Sequence, residues 1–276
     1  MTVQASNDPT AFNDFEHKGW QVASGSYEHH FARVTRQTTP TMLDAARVGE
    51  GMRVLDVCTG PGILASAAVE RGANTVGLDF SAEFIKKARR NVPDAKFHEG
   101  DAQNLPFDDD EFDAVVCGYG IIHLPDPLRA LEEMRRVLKP GGQVAVSVWE
   151  AAKPTNSFGV LFGALATHGN LDVPLPHGPD FFQFSTGEAM AAALEAADFK
   201  DVFTEGVEQI WTMEHSSDLI HALMEASVRA RGLLAAQTED ARAAIDTAVE
   251  EGLEQFAASG GGYSVAMPAI VGSGVK

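Results

Sequence analysis

Val54-Leu55-Asp56-Val57-Cys58-Thr59-Gly60-Pro61-Gly62 decides the fold: an apolar run enters a glycine-rich turn, and a helical pattern from Gly62 to Arg71 follows, ended by Gly72. Such a turn lets a ligand approach the backbone closely, and the helix start offers free N–H groups to an acidic ligand. Thr75-Val76-Gly77-Leu78 reads as a second strand ending at Asp79, 23 positions after Asp56 and placed to accept hydrogen bonds from ribose hydroxyls. These features fit any nucleoside-like cofactor. Gly60-Pro61-Gly62-Ile63-Leu64-Ala65 even satisfies the loose Gly-x-Gly-x-x-Gly/Ala dinucleotide pattern, so this region alone leaves an NAD-dependent oxidoreductase open.

Working outward, Ser81 caps a helix whose second half carries Lys86, Lys87, Arg89 and Arg90, as the helix dipole prefers. Ala95 to Glu99 is a third strand and Phe112 to Cys117 a fourth; Asp126-Pro127 starts a helix, and Lys139-Pro140-Gly141-Gly142 turns the chain into a fifth strand, Gln143 to Val148. Near-continuous Val/Leu strands separated by helical patterns predict an α/β, doubly wound, mostly parallel sheet covered on both faces. Its ligand crevice lies outside the carboxyl ends of the strands.

The flanks read differently. Residues 1 to about 13 are expected to be mobile, followed by an aromatic lead-in of Phe12, Phe15, Trp20, Tyr27 and Phe31 and a short helix over 40–48 behind Thr39-Pro40. Residues 150–184, rich in Pro, Gly and Phe, read as a long, partly irregular excursion. Ser185-Thr186-Gly187-Glu188 is a capping-box signal for a helix to Ala197. Val202 to Met213 alternates like a strand, two amphipathic helices open at Ser216/Ser217 and at Glu239, and Tyr263 to Val271 is a final strand. The expected organisation is an N-terminal lid segment over 1–39 and a cofactor-binding core over 40–150. Residues 151–276 then complete the sheet with its last two strands, with a helical cap inserted at about 214–259.

Composition bounds the function. The chain has 276 residues, enough for one large domain with a sizeable cap. A net charge of −18 disfavours a nucleic-acid partner, whose affinity comes largely from Lys and Arg. No apolar run of about 18 residues exists to span a membrane, and polar Met1 to Pro9 shows no signal-peptide pattern. Cys58 and Cys117, the only cysteines, make no disulfide framework, so the cytoplasm is the expected place. His168, His177, His215 and His221 lack metal-ligand spacing, so no metal is expected. No serine nucleophile elbow, phosphate P-loop or zinc-protease motif is present.

Other segments discriminate. Gly77-Leu78-Asp79-Phe80-Ser81 is followed by Glu99-Gly100-Asp101-Ala102-Gln103-Asn104-Leu105-Pro106-Phe107, then Phe112-Asp113-Ala114-Val115-Val116-Cys117 and Leu138-Lys139-Pro140-Gly141-Gly142. In this order, and with the opening turn, the set resembles the class I S-adenosylmethionine-dependent methyltransferases. The similar branch contains the ubiquinone/menaquinone C-methyltransferases and many natural-product methyltransferases. The resemblance covers about 50–150 closely, and extends weakly to Leu194-Glu195-Ala196-Ala197-Asp198-Phe199 and to the lead-in Gly19-Trp20-Gln21-Val22-Ala23 with Tyr27.

That resemblance implies a seven-stranded Rossmann-like sheet of order 3-2-1-4-5-7-6, last strand antiparallel, with S-adenosyl-L-methionine as cofactor and S-adenosyl-L-homocysteine as product. It implies that Asp56 and the backbone of Thr59, Gly60 and Gly62 hold the methionine part, and that Asp79 takes the ribose hydroxyls with Phe80 beside the adenine. Asp101 would accept from the adenine amino group with Ala102 next to it, and Gly118 and Tyr119 would line the path to the methyl group. Cys58 departs from the family, which has Gly or Ala there; a small buried thiol packing tightly at the cofactor is expected.

The acceptor side is less legible. His123, six residues past Cys117, could deprotonate an acceptor, or could simply pack in the loop before Asp126. Trp20 and Tyr27 are candidates for substrate or lid contacts. Phe158, Phe162, Phe181, Phe182 and Phe184 could line an apolar substrate pocket or pack a core, so a small, apolar or aromatic acceptor is expected. An S-adenosylmethionine-binding protein or enzyme that transfers no methyl group stays open beside methyl transfer, because a fold does not fix a function.

Overall fold

The computed structural model describes residues 8–276. The chain forms two compact units. One comprises Thr35–Glu150, Pro179–Val207 and Ala269–Lys276; the other comprises the described residues up to Val34 with Ala151–Gly178 and Glu208–Pro268.

The elements begin with α1 (Pro9–His30), α2 (Ala32–Thr35), α3 (Thr39–Ala45), β1 (Arg53–Val57), α4 (Ile63–Glu70), β2 (Asn74–Asp79), α5 (Ala82–Asn91) and β3 (Lys96–Glu99). There follow β4 (Phe112–Gly118), α6 (Pro127–Val137), β5 (Leu138–Trp149), α7 (Ser157–His168), α8 (Gly187–Ala196), β6 (Lys200–Val207) and β7 (Ile210–Met213). The chain closes with α9 (Asp218–Ala226), α10 (Arg229–Ala235), α11 (Glu239–Leu253), β8 (Tyr263–Ala266) and β9 (Ala269–Val275).

In the first unit a seven-stranded sheet runs β3-β2-β1-β4-β5-β9-β6. The β1–β2, β1–β4, β2–β3 and β4–β5 pairs are parallel, and β9 lies antiparallel between β5 and β6. Counted within the sheet, this is the order 3-2-1-4-5-7-6, as expected. The order reverses between β1 and β4, the switch point where such sheets leave a crevice. Alternate strand residues Val54, Ala114, Val116, Ala145 and Val271 pack against Met42, Leu43 and Ala46 of the α3 region and Leu64 and Ala68 of α4. Beside them Ala65 of α4, Ile85 and Ala88 of α5, and Phe97 of β3 form a second cluster. Local signals start these helices: the Ser81 hydroxyl accepts from Phe84 N, and Asp126 accepts from Arg129 N with Pro127 in the first turn.

In the second unit α1 packs on α9, α9 on α10, α7 on α11, and β7 and β8 form a two-stranded antiparallel ribbon. Its core includes an ion pair: Arg229 Nε donates to Glu16 Oε1 at 2.8 Å, Trp20 Nε1 donates to Glu16 Oε2 at 3.0 Å, and the Arg229 guanidinium lies 4.6 Å from the Phe12 ring centroid.

Several expectations need correction. Mobility was expected to residue 13; its first part, residues 1–7, lies outside the described residues, but α1 is already helical from Pro9, because Asp8 caps it by accepting from Thr10 N and Pro9 stands in its first turn. The excursion 150–184 contains a three-turn helix, α7, capped by Asn156. Val202–Met213 is not one strand: β6 joins the large sheet and β7 the ribbon. Tyr263–Val271 divides in the same way into β8 and β9 at Pro268, which has no N–H for a ladder. Three helices, not two, lie between β7 and β8, because the chain turns extended at Ser227.

Candidate functional site

At the carboxyl end of β1 the chain makes a turn that a regular backbone could not. Cys58 has φ +57°, Gly60 +53° and Gly62 +90°, all in the left-handed region. Asp56 shapes this turn. Its Oδ2 accepts from the Thr59 hydroxyl at 2.6 Å and from the Ala65 N–H of α4 at 3.0 Å. The Thr59 N–H donates to Leu78 O at 2.9 Å, tying the turn to β2.

Asp79, the last residue of β2, reaches back. Its Oδ2 accepts from Gly60 N at 2.9 Å, and its Oδ1 from Ser81 N at 2.9 Å. A Cβ placed on Gly60 would meet no described atom within 4 Å, so this stretch of backbone faces open space beside the Asp79 carboxylate. Phe80 follows, half-buried. The Gly100 N–H donates to Asp79 O at 3.0 Å, which brings the segment after β3 alongside. There Asp101 is exposed, accepting from Gln103 N at 2.8 Å, and Ala102 is buried.

Electrostatics set Asp56 apart. Burial pushes its carboxyl up from 3.8 to about 7; the nearby Asp79 charge adds to this, while the Thr59 and Ala65 hydrogen bonds oppose it. The Cys58 thiol is pushed well above its ordinary value by its contact with the Cys117 thiol and by burial, so it stays protonated. Cys58 is only partly buried, and it packs closely on the segment after β4: a Cβ on Gly120 would lie 2.7 Å from Cys58 Sγ and 3.4 Å from Cys117 Sγ.

At the end of β4, Gly118 is half-buried and Tyr119 follows with φ +61°. Tyr119 stacks on Trp149 of β5, centroids 4.0 Å apart, and its hydroxyl donates to Thr38 Oγ1 at 3.2 Å. His123 ends a single 3-10 turn and meets the edge of the Phe181 ring at 5.9 Å. Thus Asp56, Cys58, Thr59, Gly60, Gly62, Asp79, Phe80, Asp101, Ala102, Gly118, Tyr119 and His123 all belong to the sheet unit, at or just beyond the carboxyl ends of β1 to β4. Trp20 and Tyr27 lie on α1 in the other unit. Trp20 is buried there on Glu16, and Tyr27 has its ring between those of Trp20 and Phe31, each 5.9 Å away. Sequence reasoning passed over Trp149 and Thr38. The usable signal for Trp149 was its place at the end of a central strand.

Among the described residues, no group of three or more His, Cys, Asp or Glu could hold a metal, and no helix is long and apolar enough to cross a membrane.

Open backbone and a strand-end carboxylate at the switch point of a doubly wound sheet are features that a nucleoside-type cofactor requires. Residues 55–146 match the protein family described as "Methyltransferase domain". Over 121 residues the chain is 41% identical to a demethylmenaquinone methyltransferase of Renibacterium salmoninarum, covering 44% of this chain and 50% of that one. The chain therefore spans about half the length of the curated relatives it matches. A Haemonchus contortus phosphoethanolamine N-methyltransferase 2, solved with S-adenosyl-L-methionine, shares the fold at TM-score 0.57 and 19% identity over 95% of this chain and 59% of that one. The [4+2]-cyclase SpnF does so at 0.54 and 20%, over 87% and 80%. The resemblance to class I S-adenosylmethionine-dependent methyltransferases, and to the quinone-modifying ones among them, holds across this central segment.

Proposed function

We propose that the protein is an S-adenosylmethionine-dependent methyltransferase acting on a small-molecule acceptor and releasing S-adenosylhomocysteine. The observation that carries this reading is the Asp79–Gly60 bond: one carboxylate pins the glycine turn and stands next to the open backbone. In this reading the ribose hydroxyls meet the Asp79 carboxylate at the end of β2. Asp56, committed to Thr59 and Ala65, acts by holding the turn in shape. Phe80 and Ala102 flank the base, and Asp101 accepts from its amino group.

The bound cofactor supplies a methyl group on a sulfonium that already carries its leaving group. The protein's part is to align acceptor, methyl carbon and sulfur and to keep water out; such positioning can supply roughly 7–11 kcal/mol in favourable cases. Gly118 and Tyr119 form the acceptor side. For an acceptor that must lose a proton, His123 is the candidate base; His123→Gln would then lower turnover by about a hundredfold or more with cofactor affinity unchanged. The two thiols without a disulfide fit a reducing compartment, and the cytoplasm is the proposed location.

The test is turnover: protein, S-adenosylmethionine and a panel containing a naphthoquinol and phosphoethanolamine, with S-adenosylhomocysteine and methylated product quantified together. Methyl transfer predicts equal amounts of both. The cyclase that shares this fold shows why the count matters: product formed without S-adenosylhomocysteine would make this a cofactor-holding enzyme of another reaction class.

A further inference from the structure

Cys58 and Cys117, the chain's only cysteines, stand together at the carboxyl ends of neighbouring strands, both as free thiols. β1 and β4 pair in parallel as Val54/Ala114, Leu55/Val115 and Asp56/Val116. That register, carried on, sets Val57 beside Cys117, and Cys58 follows as the first residue past β1. Its φ of +57° takes it off the alternation of the strand, and its thiol meets the Cys117 thiol. Both sulfurs crowd the space over Gly120, where a Cβ would lie 2.7 Å from one and 3.4 Å from the other.

Neighbouring strands lie about 4.8 Å apart, and a disulfide joins Cα atoms about 4.4–6.8 Å apart, so a bridge here asks no movement of the strands. It does ask one of the turn. A bonded S–S distance is about 2.05 Å, shorter than any contact between two thiols, so closing it draws Cys58 toward β4. β2 and β4 flank β1 on opposite sides. Gly60, two residues after Cys58, is held from the β2 side by its bond to Asp79 Oδ2. A pull toward β4 therefore takes Gly60 away from Asp79. Cys117 is buried and Cys58 keeps partial exposure, so Cys58 is where an oxidant arrives.

Resting on the proposed cofactor site, we propose that this pair is an oxidative modification site: a peroxide joins Cys58 to Cys117, and the bridge lowers affinity for the cofactor. The Cys58 sulfur, as thiolate, attacks one peroxide oxygen; the O–O bond breaks, leaving a sulfenic acid on Cys58 and a hydroxide that takes up the thiol proton as water. The Cys117 sulfur then displaces hydroxide from the sulfenic sulfur, the S–S bond forms, and the Cys117 proton leaves in a second water. Two thiols lose two electrons and two protons, and one peroxide becomes two waters. Burial and the neighbouring thiol keep Cys58 protonated at rest, so thiolate is scarce and the first step is slow. In a reducing compartment such a bridge is transient, of the redox-sensing kind.

The experiment exposes the reduced full chain to hydrogen peroxide for hours and then reads a non-reducing peptide map, hydrogen exchange of the turn and calorimetric S-adenosylhomocysteine affinity. The map should join Cys58 to Cys117, the Gly60 amide should exchange faster, and affinity should fall by about tenfold. Dithiothreitol should restore all three, which it cannot do for oxidised methionine. Cys117→Ala should bind like the reduced wild type and keep its affinity through the peroxide. No link, a link that leaves exchange and affinity unchanged, or an equal loss in Cys117→Ala would overturn the inference. If S-adenosylhomocysteine does not bind the reduced wild type, the proposed function fails; the map and the Gly60 exchange still read the bridge, and a link without faster exchange overturns it.

Discussion

The Gly60 amide and the Asp79 carboxylate meet at 2.9 Å, joining the turn after β1 to the end of β2. The bond crosses between two strands that pair in parallel from Arg53/Asn74 to Val57/Leu78. It fixes the spacing of the glycine turn from the carboxylate proposed to receive the ribose hydroxyls.

Asp79→Ala should therefore weaken S-adenosylhomocysteine binding by about 1–3 kcal/mol, the scale of leaving polar groups in a buried site unpaired. The substitution strips both Gly60 N and Ser81 N of their acceptor. Calorimetric affinity of the variant checks this, and unchanged affinity would remove Asp79 from the site.

The Asp56 carboxyl gives a pH signature. Its folded value, about 7, is raised from 3.8, so the native state holds a proton that the unfolded chain releases. This contribution to stability is fully present below pH 3.8 and is lost as pH rises through about 7. The span is worth about 4 kcal/mol at most. Relative to Asp56→Asn, which does not titrate, the wild type should lose stability steadily from pH 5 to 7 and then level off. Denaturant unfolding of both proteins across that range reads the difference directly; parallel curves would contradict it.

Gly120 and Cys58 should be coupled. A Cβ on Gly120 would fall 2.2 Å from Cys58 Cβ, so Gly120→Ala should cost roughly 1–3 kcal/mol by overpacking. Cys58→Gly removes that obstacle and also suits the φ of +57°. In the double variant most of the cost of Gly120→Ala should vanish. Additive costs in a thermal-unfolding cycle would show that the two positions do not press on each other.

Arg229→Met leaves the Glu16 carboxylate buried without its cation, which should cost about 3–5 kcal/mol. Glu16 is 0% exposed, so water cannot take over the pairing. The loss should be local to the unit holding α1. Hydrogen exchange should show α1 and α9 deprotected while β1, β4 and β5 keep their protection; uniform loss across both units would contradict a local effect.

How much of this was legible follows from where the information lies. The strands β1, β2, β4 and β5 are buried in the sheet, so they are written as largely apolar runs, and Asp56, Asp79 and the glycine turn could be named from them. The second unit is held by pairings that no short window contains. Glu208-Gln209 keeps the alternation of β6 and β7 unbroken in sequence. The break is made by tertiary contacts: Gln209 Nε2 donates to Val34 O at 2.5 Å, and its carbonyl takes the Met267 N–H. The helix α7 was obscured by Gly159 and Gly163, although Asn156 carried its cap. The Asp8-Pro9 start of α1 was a plain local signal that was overlooked. The fifth strand expected from sequence stops at Val148, one residue short of Trp149, and only the fold shows that Trp149 ends β5 against Tyr119.

The central claim is that this turn holds S-adenosylmethionine, and the direct measurement is calorimetric titration of the purified protein with S-adenosylhomocysteine and with NAD(H) in parallel. S-adenosylhomocysteine should bind saturably, and more weakly in Asp79→Ala, while NAD(H) should not bind. Binding of NAD(H) alone would contradict the claim and make the Gly60-Pro61-Gly62 turn the fingerprint of a dehydrogenase.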